Sequence, residues 1–485
     1  MPWSPALDLR ADPADRRPLF ERVGAALADA IRAGRLRPGD RLPSTRALAA
    51  SLGVHRNTAV AAFAELAAQG WTSSQRGRGT FVSEALPEVP ARSFGETPRA
   101  RPAQPGFPLP RPGRAAPPLA WPPAVPVLSL AGGVPDLREA PADELARAYR
   151  RALRRRESLD YGHERGHPAL RTQLAAMLSA LRGLPVGADE VFVTRGSQLA
   201  LYLTARAIVR PGDVVAVERL GYAPAWEAFR AAGARLVSVS LDGAGVRIEP
   251  IVRLARTGTL RAVYLTPHHQ YPTLAVLAAE RRLALLELAR RHRFAIVEDD
   301  YDYEMHYEGR PLLPLASADD AGVVVYVGTL SKILAPGVRI GYVVAPPPLL
   351  ERFATLRRAI DRQGDPAIER AVAELLEDGV VERHAKRVRR IYRARRDALG
   401  VLLRRELGDA VRFALPPGGM ALWVRTAAGL DVDAWARRSL ERGAHFLPAS
   451  AFAFDGRPRG AARLGYAYLD ESELEEAVLR MRAAL

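Results

Sequence analysis

Apolar residues recur along this chain with two different periods. From residue 190 to 347, short and mostly apolar runs alternate with helical patterns such as ERRLALLELARRH. The runs are EVFVTRG, DVVAVE, RLVSVSL, LRAVYLT, FAIVEDD, VVVYVGTL and GYVVAPP. Continuous apolar runs read as strands covered on both faces. Their alternation with helices predicts an α/β fold on a mainly parallel sheet, with ligand sites outside the strands' carboxyl ends. The first 83 residues follow the helical period instead. PLFERVGAALADAIRAG (18–34) puts Leu19, Val23, Leu27 and Ile31 on one stripe, closed by Gly34. STRALAASLG reads as a short second helix with Ser44 as N-cap, Leu48 and Leu52 inward and Gly53 as its stop. VHRNTAVAAFAELAAQG predicts a third helix with Val60, Phe63, Ala64, Leu66 and Ala67 inward, ended by Gly70. WTSSQRGRGTFV reads as two short strands around a Gly-Arg-Gly tip.

Composition divides the chain. Residues 84–126 hold 13 of the 39 prolines, so regular helix or central strand is excluded there. The stretch reads as a semi-extended linker between an N-terminal module (1–83) and a C-terminal one (127–485), the latter with a smaller α+β subdomain from about 365 to 485. A length of 485 residues is ample for several domains and a large core. There is no cysteine, which excludes disulfides, thiolate metal sites and cysteine nucleophiles. No apolar run reaches about 18 residues, and the N-terminus has no secretory pattern, so a cytoplasmic protein without a membrane span is expected. The net charge is +16. Of 70 basic residues only Lys332 and Lys386 are lysines. Where arginine has replaced nearly every lysine, a surviving amine is a candidate for a place where arginine cannot serve. Arginine keeps its proton and forms no Schiff base.

Helix, short helix, tight turn, helix and β-wing is a winged helix-turn-helix pattern, whose third helix is of a size to enter the major groove. Arg56, Asn57 and Thr58 lie in that helix's first turn, where base edges and phosphates are reached. Arg46 opens the preceding helix, and Arg76 and Arg78 flank wing glycines. Residues 1–83 carry 12 Arg against 7 Asp and Glu. Spacing alone also fits a small helical protein-binding module with a basic solvated face.

In the C-terminal module the polar residues gather at strand ends. Gly196, Ser197 and Gln198 form a strand-to-helix turn suited to an anion. FAIVEDDYD ends a buried strand on Glu298, Asp299 and Asp300, followed by Tyr301. Three acids there are costly unless something cationic waits, either a metal or a protonated heterocycle. The next strand leads to Ser331 and Lys332, with Arg339 shortly after. Lys386 sits on a basic helix face and carries no assigned chemistry. Acid, tyrosine, lysine, anion turn and arginine together fit pyridoxal 5′-phosphate. The lysine forms an aldimine, a carboxylate keeps the pyridine nitrogen protonated, a phenol hydrogen-bonds the ring oxygen, and Ser331 and Arg339 hold the phosphate. A metal leaves the lysine and the anion turn unexplained, so no metal site is expected.

LPSTRALAASLGVHRNTAVAAFAELAAQG followed by RGRGTFV resembles the DNA-binding domain of GntR-family transcription regulators. That resemblance implies operator contacts from Arg46, Arg56, Thr58 and the wing. His55 departs from it, standing where a small N-capping serine is usual. Residues 127–485 resemble fold-type I aminotransferases. By that resemblance Lys332 is the Schiff-base lysine, Asp299 meets the ring nitrogen, Tyr301 the ring oxygen, and Gly196, Ser197 and Gln198 form the phosphate cup. It further implies that Tyr161 reaches the cofactor phosphate of a partner subunit, and that Gln270 supplies an amide beside the ring oxygen where asparagine is usual. Tyr222 is then placed to stack on the ring and Arg463 to clamp a ligand carboxylate. PTLAVL lacks the family's glycine after Pro-Thr. The two halves in this order resemble the MocR subfamily of GntR regulators. The resemblance implies a homodimer that binds operator DNA and senses a small amino compound by aldimine exchange at Lys332. A working aminotransferase with a secondary DNA-binding domain is the alternative. A third reading is a DNA-binding protein whose cofactor domain only dimerises.

Overall fold

The computed structural model describes residues 17–75, 77–87, 127–457 and 459–485. Arg76 and most of the Pro-rich stretch lie outside the described residues. The chain divides into two compact units, Met1–Arg111 and Pro112–Leu485.

The first unit packs helices α1 (Leu19–Arg32), α2 (Thr45–Leu52) and α3 (Arg56–Ala68) with a hairpin of β1 (Thr72–Gln75) and β2 (Gly79–Val82). Its core joins Val23, Leu27, Ile31, Leu48, Ala59, Phe63, Leu66, Trp71 and Val82. Ser44 caps α2 by accepting the Ala47 N–H at 3.2 Å, and Gly53 ends it at φ 64°. His55 does the same for α3: its Nδ1 accepts the Asn57 N–H at 3.3 Å. The departure from serine therefore leaves the helix start capped. The phase of α3 differs from expectation. Val60, Ala64 and Ala67 are exposed, and the buried stripe is Ala59, Ala62, Phe63 and Leu66. Both sets obey the 3.6-residue period, one residue apart. An Ala-rich helix offers too little polar contrast to phase it, and packing of Phe63 and Leu66 decides. Leu19, the first residue of α1, is also exposed, and the buried stripe begins only at Val23.

The second unit opens with β3 (Leu128–Ser129), α4 (Ala142–Leu153) and α5 (Pro168–Arg182). The alternating region follows as β4 (Val191–Thr194), α6 (Ser197–Ile208), β5 (Val214–Glu218), α7 (Ala223–Ala231), β6 (Arg235–Val239), the ribbon β7 (Leu241–Asp242) and β8 (Gly245–Val246), α8 (Ile248–Arg256), β9 (Leu260–Leu265), α9 (Ala279–His292), β10 (Ala295–Asp300), β11 (Val324–Thr329) and β12 (Gly341–Val344). Then come α10 (Pro347–Ile360), α11 (Pro366–Glu377), α12 (Val380–Leu407), β13 (Val411–Arg412), β14 (Ala421–Thr426), α13 (Val432–Glu441), β15 (Ala444–His445), β16 (Leu447–Pro448), β17 (Ala461–Gly465) and α14 (Glu471–Arg482).

All seven runs read as strands from the sequence lie in one sheet, ordered β4-β12-β11-β10-β9-β5-β6. Only β12 is antiparallel to its neighbours. Side chains alternate between two covered faces. In β5, Val215 and Val217 join the cluster under α6, α7 and α10, while Val214 and Ala216 join the one on the opposite face. A four-stranded antiparallel sheet, β13-β14-β17-β16, packs with α12, α13 and α14 around Trp435 and Tyr466. The segment after residue 127 returns to this smaller core, since β3 pairs with β15 and Leu130 is buried there. Among the described residues no helix is long and apolar enough to cross a membrane.

Candidate functional site

The carboxyl ends of β9, β10 and β11 lie side by side, and the three acids at the end of β10 go to different partners. Alternation along the strand separates them. Glu298 accepts the main-chain N–H groups of Leu315 and Ala316 at 2.8 and 2.9 Å. Asp300 accepts from the Tyr326 hydroxyl at 2.5 Å and faces the buried Arg182, itself paired with Glu304. Asp299 lies on the other face. Its Oδ2 accepts from the Tyr264 hydroxyl at 2.8 Å, and its Oδ1 is buried with no partner among the described residues. Burial pushes Asp299 up to about 7, against the Tyr264 hydrogen bond, with Asp300 adding to the rise.

Lys332 follows β11 in the turn after Thr329, whose hydroxyl bonds Ser331 Oγ at 3.0 Å. The Lys332 ammonium donates to the Gly133 carbonyl. Burial first, and then the Arg463 charge, hold it down at about 8. Asp299 and Lys332 each feel the other's charge. Arg463, on β17, is fully buried yet has no carboxylate partner among the described residues. Its Nη1 lies 3.5 Å from the Ala131 carbonyl, its guanidinium is 4.8 Å from the Tyr271 ring centroid, and its Nε and Nη2 bond nothing. Gly132 makes this approach possible. A Cβ there would overlap Arg463 Nη1, and its φ of 83° suits glycine.

The strand-to-helix turn after β4 sets Gly196, at φ 77°, ahead of α6, and no side chain caps that helix. Arg339 lies against the turn: its Nη2 donates to the Arg195 carbonyl at 2.9 Å, and a Cβ on Gly196 would meet its guanidinium at 2.9 to 3.1 Å. Uncapped amides at a helix start with a guanidinium beside them are an arrangement that can receive an anion. Tyr222 packs edge-on to Tyr271 at 5.7 Å, and Tyr301 donates from its hydroxyl to the His269 carbonyl at 3.0 Å. Burial pushes the Tyr222 phenol up to about 12, with Asp299 adding to it.

Among the site residues Gln270 alone sits differently from expectation. Gln270 spends both amide protons on the Leu220 and Tyr271 carbonyls, and its oxygen accepts from Thr273, so nothing remains for a ring oxygen. Gln198 donates to the Pro224 carbonyl at 2.9 Å. Tyr161 is 75 % exposed, with Arg362 over its ring, and touches none of these groups. Leu274 occupies the position of the missing glycine and still adopts φ 64°. The left-handed backbone costs about 1–2 kcal/mol, which burial of a leucine side chain at about 1.5–3 kcal/mol offsets. Sequence reasoning missed Tyr264, Tyr271 and Gly132. The Gly132-Gly133 pair after a short apolar run was the available signal for the last.

Pyridoxal phosphate fits this donor set. A protonated ring nitrogen suits the unpartnered Asp299 Oδ1, an aldehyde suits the depressed amine, and a phosphate suits the cup. Without it Asp299 costs stability. Its folded value of about 7 exceeds the ordinary 3.8, so the folded state binds the extra proton between those values. Stability from this group is present at low pH and is lost as pH rises from about 4 to 7. The unfolding free energy of cofactor-free wild type minus that of Asp299→Asn is expected to fall across that window and then level. A difference that climbs with pH would mean the carboxylate is paired.

In the first unit Arg46, Arg56, Asn57 and Arg78 are exposed and Thr58 is half-buried. Glycines at φ 80° and 117° flank Arg78. Arg41 lies against Gly79 at the wing's base.

Residues 125–481 match the family of aminotransferases class I and II, and residues 19–82 match the bacterial regulatory proteins of the gntR family. The chain is 33 % identical to the probable rhizopine catabolism regulatory protein MocR of Rhizobium meliloti, over 99 % of this chain and 95 % of that protein. It is 32 % identical to the HTH-type transcriptional regulator TauR of Rhodobacter capsulatus, covering 98 % of each. Among solved structures it resembles LysN, the alpha-aminoadipate aminotransferase of Thermus thermophilus, complexed with N-(5′-phosphopyridoxyl)-L-leucine. The TM-score is 0.68 at 32 % identity, over 74 % of this chain and 92 % of that one.

Proposed function

This chain belongs to the MocR-type regulators of the GntR family, built on an aminotransferase class I and II domain, and from that premise we propose that it is a pyridoxal-phosphate-dependent transcription regulator sensing an amino acid or related amine at Lys332. The observation that carries the reading is a pair of unmatched buried charges, Asp299 Oδ1 and Arg463, both coupled to the Lys332 amine. When bound, the cofactor supplies an aldehyde that takes an amine covalently and a ring that draws electrons from it. Lys332, held near 8, has an accessible lone pair close to neutral pH. Asp299 Oδ1 holds the proton of the ring nitrogen, and Tyr264 fixes the carboxylate's other oxygen. The amides at the start of α6, Ser331 and Arg339 receive the phosphate. Arg463 receives the effector's carboxylate, which makes an amino acid a better ligand than a simple amine.

The proposal divides the chain into a DNA-binding module (1–83), a linker (84–126) and a sensor (127–485), with a small subdomain from about 365. It places the protein in the cytoplasm as a homodimer, in which the exposed Tyr161 reaches the partner subunit's phosphate cup. Effector binding shifts operator affinity only so far as the effector prefers one sensor state, typically about 5–150-fold. The test is operator affinity of the cofactor-loaded protein across a panel of amino acids. At least one is expected to shift it; absence of sequence-specific DNA binding under every condition removes the reading. On the DNA side, Arg78→Ala is expected to lower the salt slope of operator binding by about one, and Arg56→Ala to cost about 1–3 kcal/mol. An unchanged slope and affinity in titrations at several salt concentrations would take these side chains off the DNA.

A working aminotransferase is the second reading, favoured by the depressed Lys332, since an amine near neutrality serves as a proton carrier. Sustained keto-acid release by the purified protein would decide for it.

A further inference from the structure

We propose that His268, His269 and His306 form a binding site for a borderline divalent cation of the zinc class, separate from the Lys332 centre. Their ring nitrogens offer one ligand atom each, all within 4.8 Å of one another. A tetrahedral ion at about 2.0–2.1 Å from each nitrogen spaces them about 3.4 Å apart, so the side chains close by at most about 1.5 Å. Among the described residues, both nitrogens of His268 and Nε2 of His269 have no protein partner, while His306 has a main-chain neighbour at Glu308. His268 is only 4 % exposed, and unpartnered buried polar nitrogens are costly.

The support around the trio is that of a metal site. His269 Nδ1 lies 2.8 Å from the buried Asp302 Oδ1, the carboxylate–histidine pairing that fixes a ligating tautomer and turns Nε2 inward. The Gly418 backbone packs against that nitrogen, for a Cβ there would sit 2.5 Å from His269 Nε2. The nearby acids Asp300 and Glu304 are engaged with Arg182, leaving an all-imidazole donor set. Such a set selects zinc, cobalt, nickel or copper over magnesium and calcium. His306 also borders a cavity of about 410 Å³ lined by Tyr303, Met177 and Arg389. The simpler account is three neutral rings packed for their area, and His268 does lie 4.7 Å from the Tyr303 ring. That account leaves the unpartnered buried nitrogens of His268 and His269 unexplained.

The test is titration of the full-length, cofactor-loaded protein with Zn²⁺ and with Co²⁺, by calorimetry and by cobalt ligand-field absorption. One ion per chain with tetrahedral-type cobalt bands is expected. His306→Gln, at a half-buried position, is expected to weaken uptake at least about 10-fold, and Asp302→Asn to weaken it about 10–100-fold while keeping the bands. Cofactor absorption, read in the same samples, reports separately on Lys332. No uptake by the wild type, or uptake undiminished in His306→Gln, overturns the proposal by assigning any bound ion to other histidines.

Discussion

Lys332→Ala is expected to abolish covalent cofactor retention and effector response together, while leaving basal operator binding within about 2-fold of wild type. Lys386, the other lysine of the chain, is a surface residue paired with Glu382. No second lysine side chain therefore takes over. The winged helix has its own core of helices and hairpin and does not draw on Lys332, so its DNA affinity rests on its own cations. The variant also removes a partly desolvated ammonium, so the empty chain keeps or gains thermal stability. Absorption of the dialysed protein and operator titrations with and without effector check this. A full response surviving in Lys332→Ala would move sensing away from this residue.

Arg463→Met is expected to reduce affinity for carboxylate-bearing effectors by about 3 kcal/mol, or roughly 100–200-fold, with little effect on decarboxylated amines of the same side chain. The guanidinium is fully buried, and two of its nitrogens have no partner to compensate their loss of water. Such an arrangement costs stability in the empty protein and returns it only when an anion arrives. Two further signs follow. The variant should melt no lower than wild type when empty, because methionine keeps the packing against Tyr271. It should also raise the Lys332 pKa, since the Arg463 charge is the second cause of its depression. Binding isotherms for an amino acid and its decarboxylated counterpart provide the comparison, and equal losses for both would contradict a carboxylate clamp.

The sheet was legible because burial on both faces leaves nearly unbroken apolar runs at β4, β5, β9 and β11. The turn chemistry at Ser44 and Gly53 was legible for the same local reason: one residue type meets one backbone need. The phase of α3 was not, because alanines fit either side of a helix. At the site, residues carrying their own signal stood out: the acid run, the rare lysine, the Gly-Ser turn. Residues supplied by distant segments did not. Tyr264 is an ordinary aromatic in a strand, and only the register of β9 beside β10 brings it to Asp299. Strand alternation also chooses Asp299 over Glu298 and Asp300, and no count of charges could make that choice. Gln270 shows the converse, a residue placed by its motif whose hydrogen bonds are spent on the backbone. The histidine trio was hidden because His306 joins the pair only through the fold.

The account rests on a covalent bond between Lys332 and pyridoxal phosphate. Borohydride reduction of the loaded protein, followed by mass spectrometry of its peptides, tests this directly. The account predicts one pyridoxyl phosphate group per chain, on Lys332, displaced when an effector amine is added before reduction. A group on Lys386, or none at all, would contradict it.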